Sequence, residues 1–224
     1  MRGVFVTGTD TGVGKSVLAA SICAALVARG ERVAAFKPVV TGLDEDPAEG
    51  WPRDHELLAF AAGGSQTAAE VTPYTFGPPV SPHHAAELAA KPIEPARILE
   101  AAEAAMNGAG VLVCEGVGGL LAPITPGYSV RDLAGDLGLP TVVAARTGLG
   151  TISHSLLTVE AARAAGLSVA AVVMSPWPER PRPIEESNRM TIERLAAVPV
   201  SCLPATTPSQ LAGAGARLPI ADWL

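Results

Sequence analysis

The sequence predicts an α/β fold: a mostly parallel sheet with helices on both faces, three layers in all, within a single domain spanning residues 1–224. Three observations carry this reading. Short apolar runs alternate with helix-length segments from end to end. A glycine-rich loop sits between the first apolar run and the first helical segment. No internal repeat or long linker divides the 224 residues, a length suited to one large domain.

The elements follow in order. Residues 3–7 (GVFVT) read as a short buried strand, and 16–29 as a helix stopped by Gly30. A second strand is expected over 32–37, ended by Pro38, and then a polar, mobile-looking loop over 38–53. Asp54 fits the N-cap or first turn of a helix that stops at Gly63-Gly64. Two more helices, over 81–90 and 95–107, are introduced by Ser or Pro. Strands are expected at 110–114, 141–145, 168–174 and 198–203, and helices at 129–137, 151–165 and 184–197. The tail, 206–224, reads as loop with a short helical turn.

Composition narrows the function classes. With 48% hydrophobic residues the chain is neither disordered nor fibrous. Net charge is −6 and Lys or Arg never cluster, which argues against a nucleic-acid track. No run of 18 strongly apolar residues suggests a membrane span, and the first ten residues lack a secretory pattern. Cys23, Cys114 and Cys202 are odd in number, far apart and set in apolar surroundings, as in a cytoplasmic protein with reduced thiols. Mean hydropathy of +0.31 reflects alanine content or a buried subunit interface. The four histidines form no i, i+4 pair, so a zinc site is not expected.

The sharpest feature is Gly8-Thr9-Asp10-Thr11-Gly12-Val13-Gly14-Lys15-Ser16 between strand and helix. In such a loop, backbone N–H groups converge on phosphate oxygens at a helix N-terminus. Lys15 would neutralise β/γ-phosphate charge and Ser16 would ligate Mg²⁺. Gly12, Val13, Gly14 and Val17 complete the expected nucleotide cradle. The spacing deviates, with five residues rather than four after Gly8 and Thr9 in place of a glycine. A dinucleotide fingerprint fails, because Val17 stands where Gly or Ala is wanted. A nucleoside triphosphate site in a P-loop NTPase-like fold is expected.

Lysine usage adds to this. The chain has three lysines, Lys15, Lys37 and Lys91, against 13 arginines, so lysine is kept where a compact ammonium is needed. Lys37 closes the second strand at the sheet edge where open α/β sheets bind ligands; a solvated strand-end lysine is the bland alternative. Glu115 follows an apolar strand, where a carboxylate is costly unless ion-paired or metal-bound. For Asp54, capping and metal binding stand as equal alternatives.

With these residues assembled, the chain resembles the dethiobiotin synthetases over about residues 3–204. The resemblance rests on GTDTGVGKS, AFKPVVTG (35–42), RDHELL around Asp54, PYTFGPPVSPH (73–83), VCEGVGGLLAPI and LGTISHSLLTVEAARAAGL. It implies an ATP- and Mg²⁺-dependent ligase of biotin biosynthesis acting on 7,8-diaminopelargonate and CO₂ as a homodimer. Thr11, Lys15 and Lys37 would surround a carbamate and the γ-phosphate, with Lys37 neutralising charge rather than acting as a base. Ser16, Asp54 and Glu115 would hold Mg²⁺, Thr41 would touch the substrate, and Gly116, Val117 and Gly118 would offer backbone N–H groups. Gly150, Thr151 and Ser153, just before or within a helix start, read either as a carboxylate site made of exposed N–H groups or as an ordinary N-cap; the resemblance implies that this segment of the neighbouring subunit receives the substrate's acid end.

Three positions depart from the family pattern. Gly12 stands where Glu is frequent, Ser175-Pro176-Trp177 where an Asn commonly reads adenine, and Ser153 where Asn is frequent. Base recognition is therefore expected from backbone groups near Ser175, Pro176, Pro204, Ala205 and Thr206, with weak discrimination among triphosphates. Replacing Lys37 with Ala is expected to slow phosphoryl transfer by roughly 10³-fold or more, with folding nearly unchanged. Two rivals keep the fold. A partition-type switch ATPase would carry an extra lysine where Asp10 stands, and a related amidating or cobalamin-pathway ligase usually needs a further glutaminase domain.

Overall fold

A computed structural model describes residues 1–224. Six parallel strands form one sheet: β1 (Gly3–Gly8), β2 (Val33–Phe36), β5 (Val111–Glu115), β8 (Thr141–Ala145), β9 (Val169–Trp177) and β10 (Val200–Pro204), in the order β10-β9-β8-β1-β5-β2. Their runs are apolar on both faces, as a sheet covered twice requires. Val4 and Val6 of β1 point to one face and Phe5 to the other. On the first face lie α1 (Lys15–Ala28), α2 (Asp54–Ala61) and α9 (Leu211–Gly215). The second carries α4 (Pro82–Leu88), α5 (Pro95–Ala105), α6 (Val130–Leu137), α7 (Thr151–Ala164) and α8 (Pro183–Ala196). β1 is central, with β5 and β8 on either side. The crevice at the carboxyl ends of these three strands is where such a sheet receives ligands.

The expected strands and main helices are present within one to three residues. Four differences stand out. The segment expected to be a mobile loop contains β3 (Val39–Val40), buried and paired in parallel with β4 (Tyr74–Thr75). A short α3 (Ala68–Val71) precedes β4, capped by Thr67, and a hairpin of β6 (Pro123–Thr125) and β7 (Tyr128–Ser129) follows β5. Ser175-Pro176-Trp177 does not follow β9 but ends it, with a cis bond before Pro176.

The fourth difference is the tail, which is core. Leu211, Leu218, Ile220 and Trp223 are buried in the cluster that contains α1. Alanines along α1 (KSVLAASICAALVA) keep its surface low, so α9 approaches backbone to backbone. A Cβ on Gly215 would lie 2.0 Å from the Ser21 carbonyl oxygen. Polar residues between short apolar spacings hide this role from periodicity. Trp223→Ala should therefore cost about 3–5 kcal/mol, and Gly215→Ala about 1–3 kcal/mol by overpacking. Urea unfolding of both variants checks this; a tail that is mere loop would leave both midpoints unmoved.

Candidate active site

The phosphate-type loop leaves β1 and enters α1 through Gly14, which has φ of 88°, a left-handed conformation that favours glycine. The amides of Gly12, Val13 and Gly14 donate to no backbone carbonyl. They are free donors at the head of a 14-residue helix, the arrangement that attracts anions. Lys15 is buried and folds its ammonium back onto the loop, donating to the Asp10 carbonyl at 2.8 Å. Burial holds its pKa below the ordinary lysine range.

Beside the loop, Lys37 is clamped between two carboxylates. Its Nζ donates to Glu115 Oε1 at 2.6 Å and to Asp54 Oδ2. Lys37 sits one residue beyond β2, and its backbone N–H donates to the Val71 carbonyl at 2.9 Å. The edge strand it continues is covered by Gln66, whose amide exchanges two hydrogen bonds with the Ala35 backbone. Burial works against the ammonium, but Glu115 and Asp54 outweigh it and hold the Lys37 pKa above the ordinary range. Burial also opposes ionisation of Asp54, yet Lys37 prevails and lowers its pKa. For Glu115, the last residue of β5 and fully buried, burial wins and raises the pKa. Asp54 does not cap α2: Arg53 is the N-cap, and the Glu56 carboxylate accepts the Arg53 N–H.

Ser16 closes the group, its hydroxyl donating to Glu115 Oε1 at 2.8 Å. Glu115 Oε2 is buried without a hydrogen-bond partner. Two carboxylates and a hydroxyl, all hard oxygen donors with one acceptor atom free, fit a Mg²⁺ ion. These side chains line a groove of about 780 Å³ together with Thr11, Gly12, Gly14, Val17, Thr41, Val117 and Gly118.

A second groove, of about 570 Å³, joins the first across Gly12, Gly14 and Val17. Val13, Ser175, Pro176, Pro204, Ala205 and Thr206 line it. The nucleotide-side expectations thus converge, with one correction. The Gly116 N–H donates to the Val6 carbonyl at 2.9 Å, and a Cβ there would strike Val130, so this glycine serves the sheet. Gly150, Thr151 and Ser153 line neither groove. Gly150 and Ser153 are exposed at the start of α7, and the buried Thr151 hydroxyl donates to the Arg146 carbonyl at 2.7 Å.

Sequence reasoning missed Arg146 and Trp51, both lining the second groove. Arg146 donates to Asp10 Oδ2 at 3.0 Å and to the Thr11 carbonyl at 3.4 Å, tying the loop after β8 to the phosphate-type loop. Its place just past the carboxyl end of a central strand was a usable signal. For Trp51, nothing in the loop composition pointed to it.

The clamp corrects one expectation. Removing Lys37 strands a buried Glu115, so Lys37→Ala should lose about 3–5 kcal/mol of stability. Adding Glu115→Gln should recover much of that loss. Urea denaturation of the single and double variants measures it; an unchanged midpoint for Lys37→Ala would show the clamp to be energetically idle.

Comparison with known proteins bears on this arrangement. Residues 2–207 match the family described as AAA domain. The ATP-dependent dethiobiotin synthetase of Anaeromyxobacter dehalogenans (strain 2CP-C) is 41% identical over 91% of this chain and 90% of its own. That of Bacillus subtilis (strain 168) is 33% identical over 89% and 85%. Among solved structures, a ParA family ATPase from Chlorobium tepidum TLS superposes with a TM-score of 0.55 at 11% identity, covering 98% of this chain and 92% of that one, a likeness of fold alone. On sequence similarity along nine-tenths of its length, the chain belongs to the ATP-dependent dethiobiotin synthetase family.

Proposed function

We propose that this single-domain protein closes the ureido ring of dethiobiotin, using ATP, CO₂ and 7,8-diaminopelargonate, as an ATP-dependent ligase of biotin biosynthesis. The observation that carries this is the convergence of Lys15, Lys37, Asp54 and Glu115 beside a loop of free amides. One amine adds to CO₂, losing a proton, to give a carbamate. A carbamate oxygen displaces ADP from the γ-phosphorus, forming a mixed anhydride. The second amine then attacks the carbonyl carbon and loses a proton, and phosphate leaves with the ring closed.

Each residue's part follows from charge. Negative charge accumulates on the transferred phosphoryl oxygens, and cations already in place stabilise it without reorganising. Lys15 would lie against the β- and γ-phosphates, and Lys37 and Thr11 against the carbamate and γ-phosphate. Ser16, Asp54 and Glu115 would hold Mg²⁺, which neutralises triphosphate charge when bound. Thr41 would contact the diamine, and the loop of Val117 and Gly118 would border it. Lys37, held as an ammonium, serves as a charge rather than a proton acceptor.

A homodimer is part of the reading. Leu149, 92% exposed, precedes α7, and Leu157 on α7 is 60% exposed, apolar surface that a second copy would cover. The Ile152 and Ser153 amides donate to no backbone carbonyl, so the α7 start of one copy could receive the carboxylate of substrate bound to the other. With Thr151 committed to Arg146, backbone groups rather than its hydroxyl would make that contact. No helix is long and apolar enough to cross a membrane. Cys23 and Cys114 are free and buried, in keeping with work in a reducing cytoplasm.

Phosphate release from ATP, Mg²⁺ and bicarbonate, with and without the diamine, tests the reading alongside mass detection of the cyclic urea. Diamine-dependent turnover is expected, falling roughly 10³-fold or more in Lys37→Ala. Release indifferent to the diamine would overturn the substrate. A panel of ATP, CTP and GTP at matched concentrations should give comparable rates, because Ser175 offers a single hydroxyl where an amide side chain would discriminate. A large ATP preference would refute weak selection.

A further inference from the structure

The second groove is polar only in patches. Thr147, Ser175 and Thr206 contribute one hydroxyl each, and the Arg146 guanidinium is engaged by Asp10 and the Thr11 carbonyl. No amide or carboxylate side chain lines it, so no side chain there matches a base's paired donors and acceptors. Its walls are instead apolar, formed by Val17, Pro176, Pro204 and one aromatic ring, Trp51.

Trp51 is placed with some definition. It is half-buried and packs against the core cluster that contains α1. Its backbone N–H donates to the Ala48 carbonyl at 2.9 Å, closing a turn. Pro52 follows, then Arg53, the N-cap of α2. The ring is thereby anchored three residues before Asp54. It lines both grooves, so it stands where the phosphate-handling groove gives way to the apolar one.

We propose that Trp51 is the base-stacking residue of this protein, taking the nucleobase of a nucleoside di- or triphosphate on its indole face whatever the base. The inference rests on reading the second groove as the base end of the nucleotide site. Every base presents a π-face, so stacking adds affinity without choosing among bases. Stacking on the ring and phosphate contacts at the loop would together make a tight but undiscriminating nucleotide site.

Calorimetric binding of Mg²⁺·ADP and of Mg²⁺·tripolyphosphate, which has no base, separates stacking from loop packing. Trp51→Ala should weaken ADP, CDP and GDP alike by about 5- to 100-fold and leave tripolyphosphate unchanged. ADP should quench part of the tryptophan fluorescence of the parent protein, and Trp51→Phe should restore most of the affinity while losing that quenching. Equal weakening of ADP and tripolyphosphate would make Trp51 a packing residue and overturn the proposal, as would unaltered ADP binding in Trp51→Ala. Wild-type turnover with the diamine is measured in parallel. Its absence with Trp51-dependent ADP binding intact would sink the ligase reading while supporting this one.

Discussion

A buried ammonium held between two carboxylates organises one end of this molecule. Lys37 and Glu115 come from the ends of β2 and β5, already paired in the sheet, and Asp54 from the first turn of α2. Lys37 and Glu115 would each be costly alone in the interior, while Asp54 reaches the groove. Pairing offsets that cost and draws the start of α2 to the ends of β2 and β5. Ser16 extends the group to the head of α1 and sets it against the phosphate-type loop. The same arrangement leaves one Glu115 oxygen buried without a hydrogen-bond partner.

The scaffold around this clamp is closely packed from small residues. Alanines on α1 allow α9 to meet it backbone to backbone, and strands apolar on both faces let helices cover the sheet completely. β1 then emerges at the centre, and its loop faces the crevice that the strand order creates.

Much of this is legible in the residues. Strands of continuous apolar character and helices bounded by Gly, Pro and Ser stand out to within a few residues, because burial and capping are local signals. The site lysines and acids are legible because a charge at the end of an apolar strand has few reasons to be there. What escapes depends on long-range contact. The tail's burial against α1 and the pairing of Val39–Val40 with Tyr74–Thr75 leave no periodic trace over two to five residues. The Gly116 amide reads as available in the sequence, and only the sheet register commits it to Val6. Arg146 takes its role from Asp10, 136 positions away, and Trp51 from a shared groove wall, neither of which spacing encodes.

The loop after β8 is tied on three sides: Arg146 to the phosphate-type loop, Thr151 back to the Arg146 carbonyl, and Asn188 of α8 to the Thr147 and Gly148 carbonyls at 3.0 and 3.1 Å. A segment so fastened has lost its conformational freedom during folding, before any ligand arrives. Binding against it costs little further ordering, so this wall is preorganised. The opposite wall, where residues 44–50 are exposed, has fewer such ties.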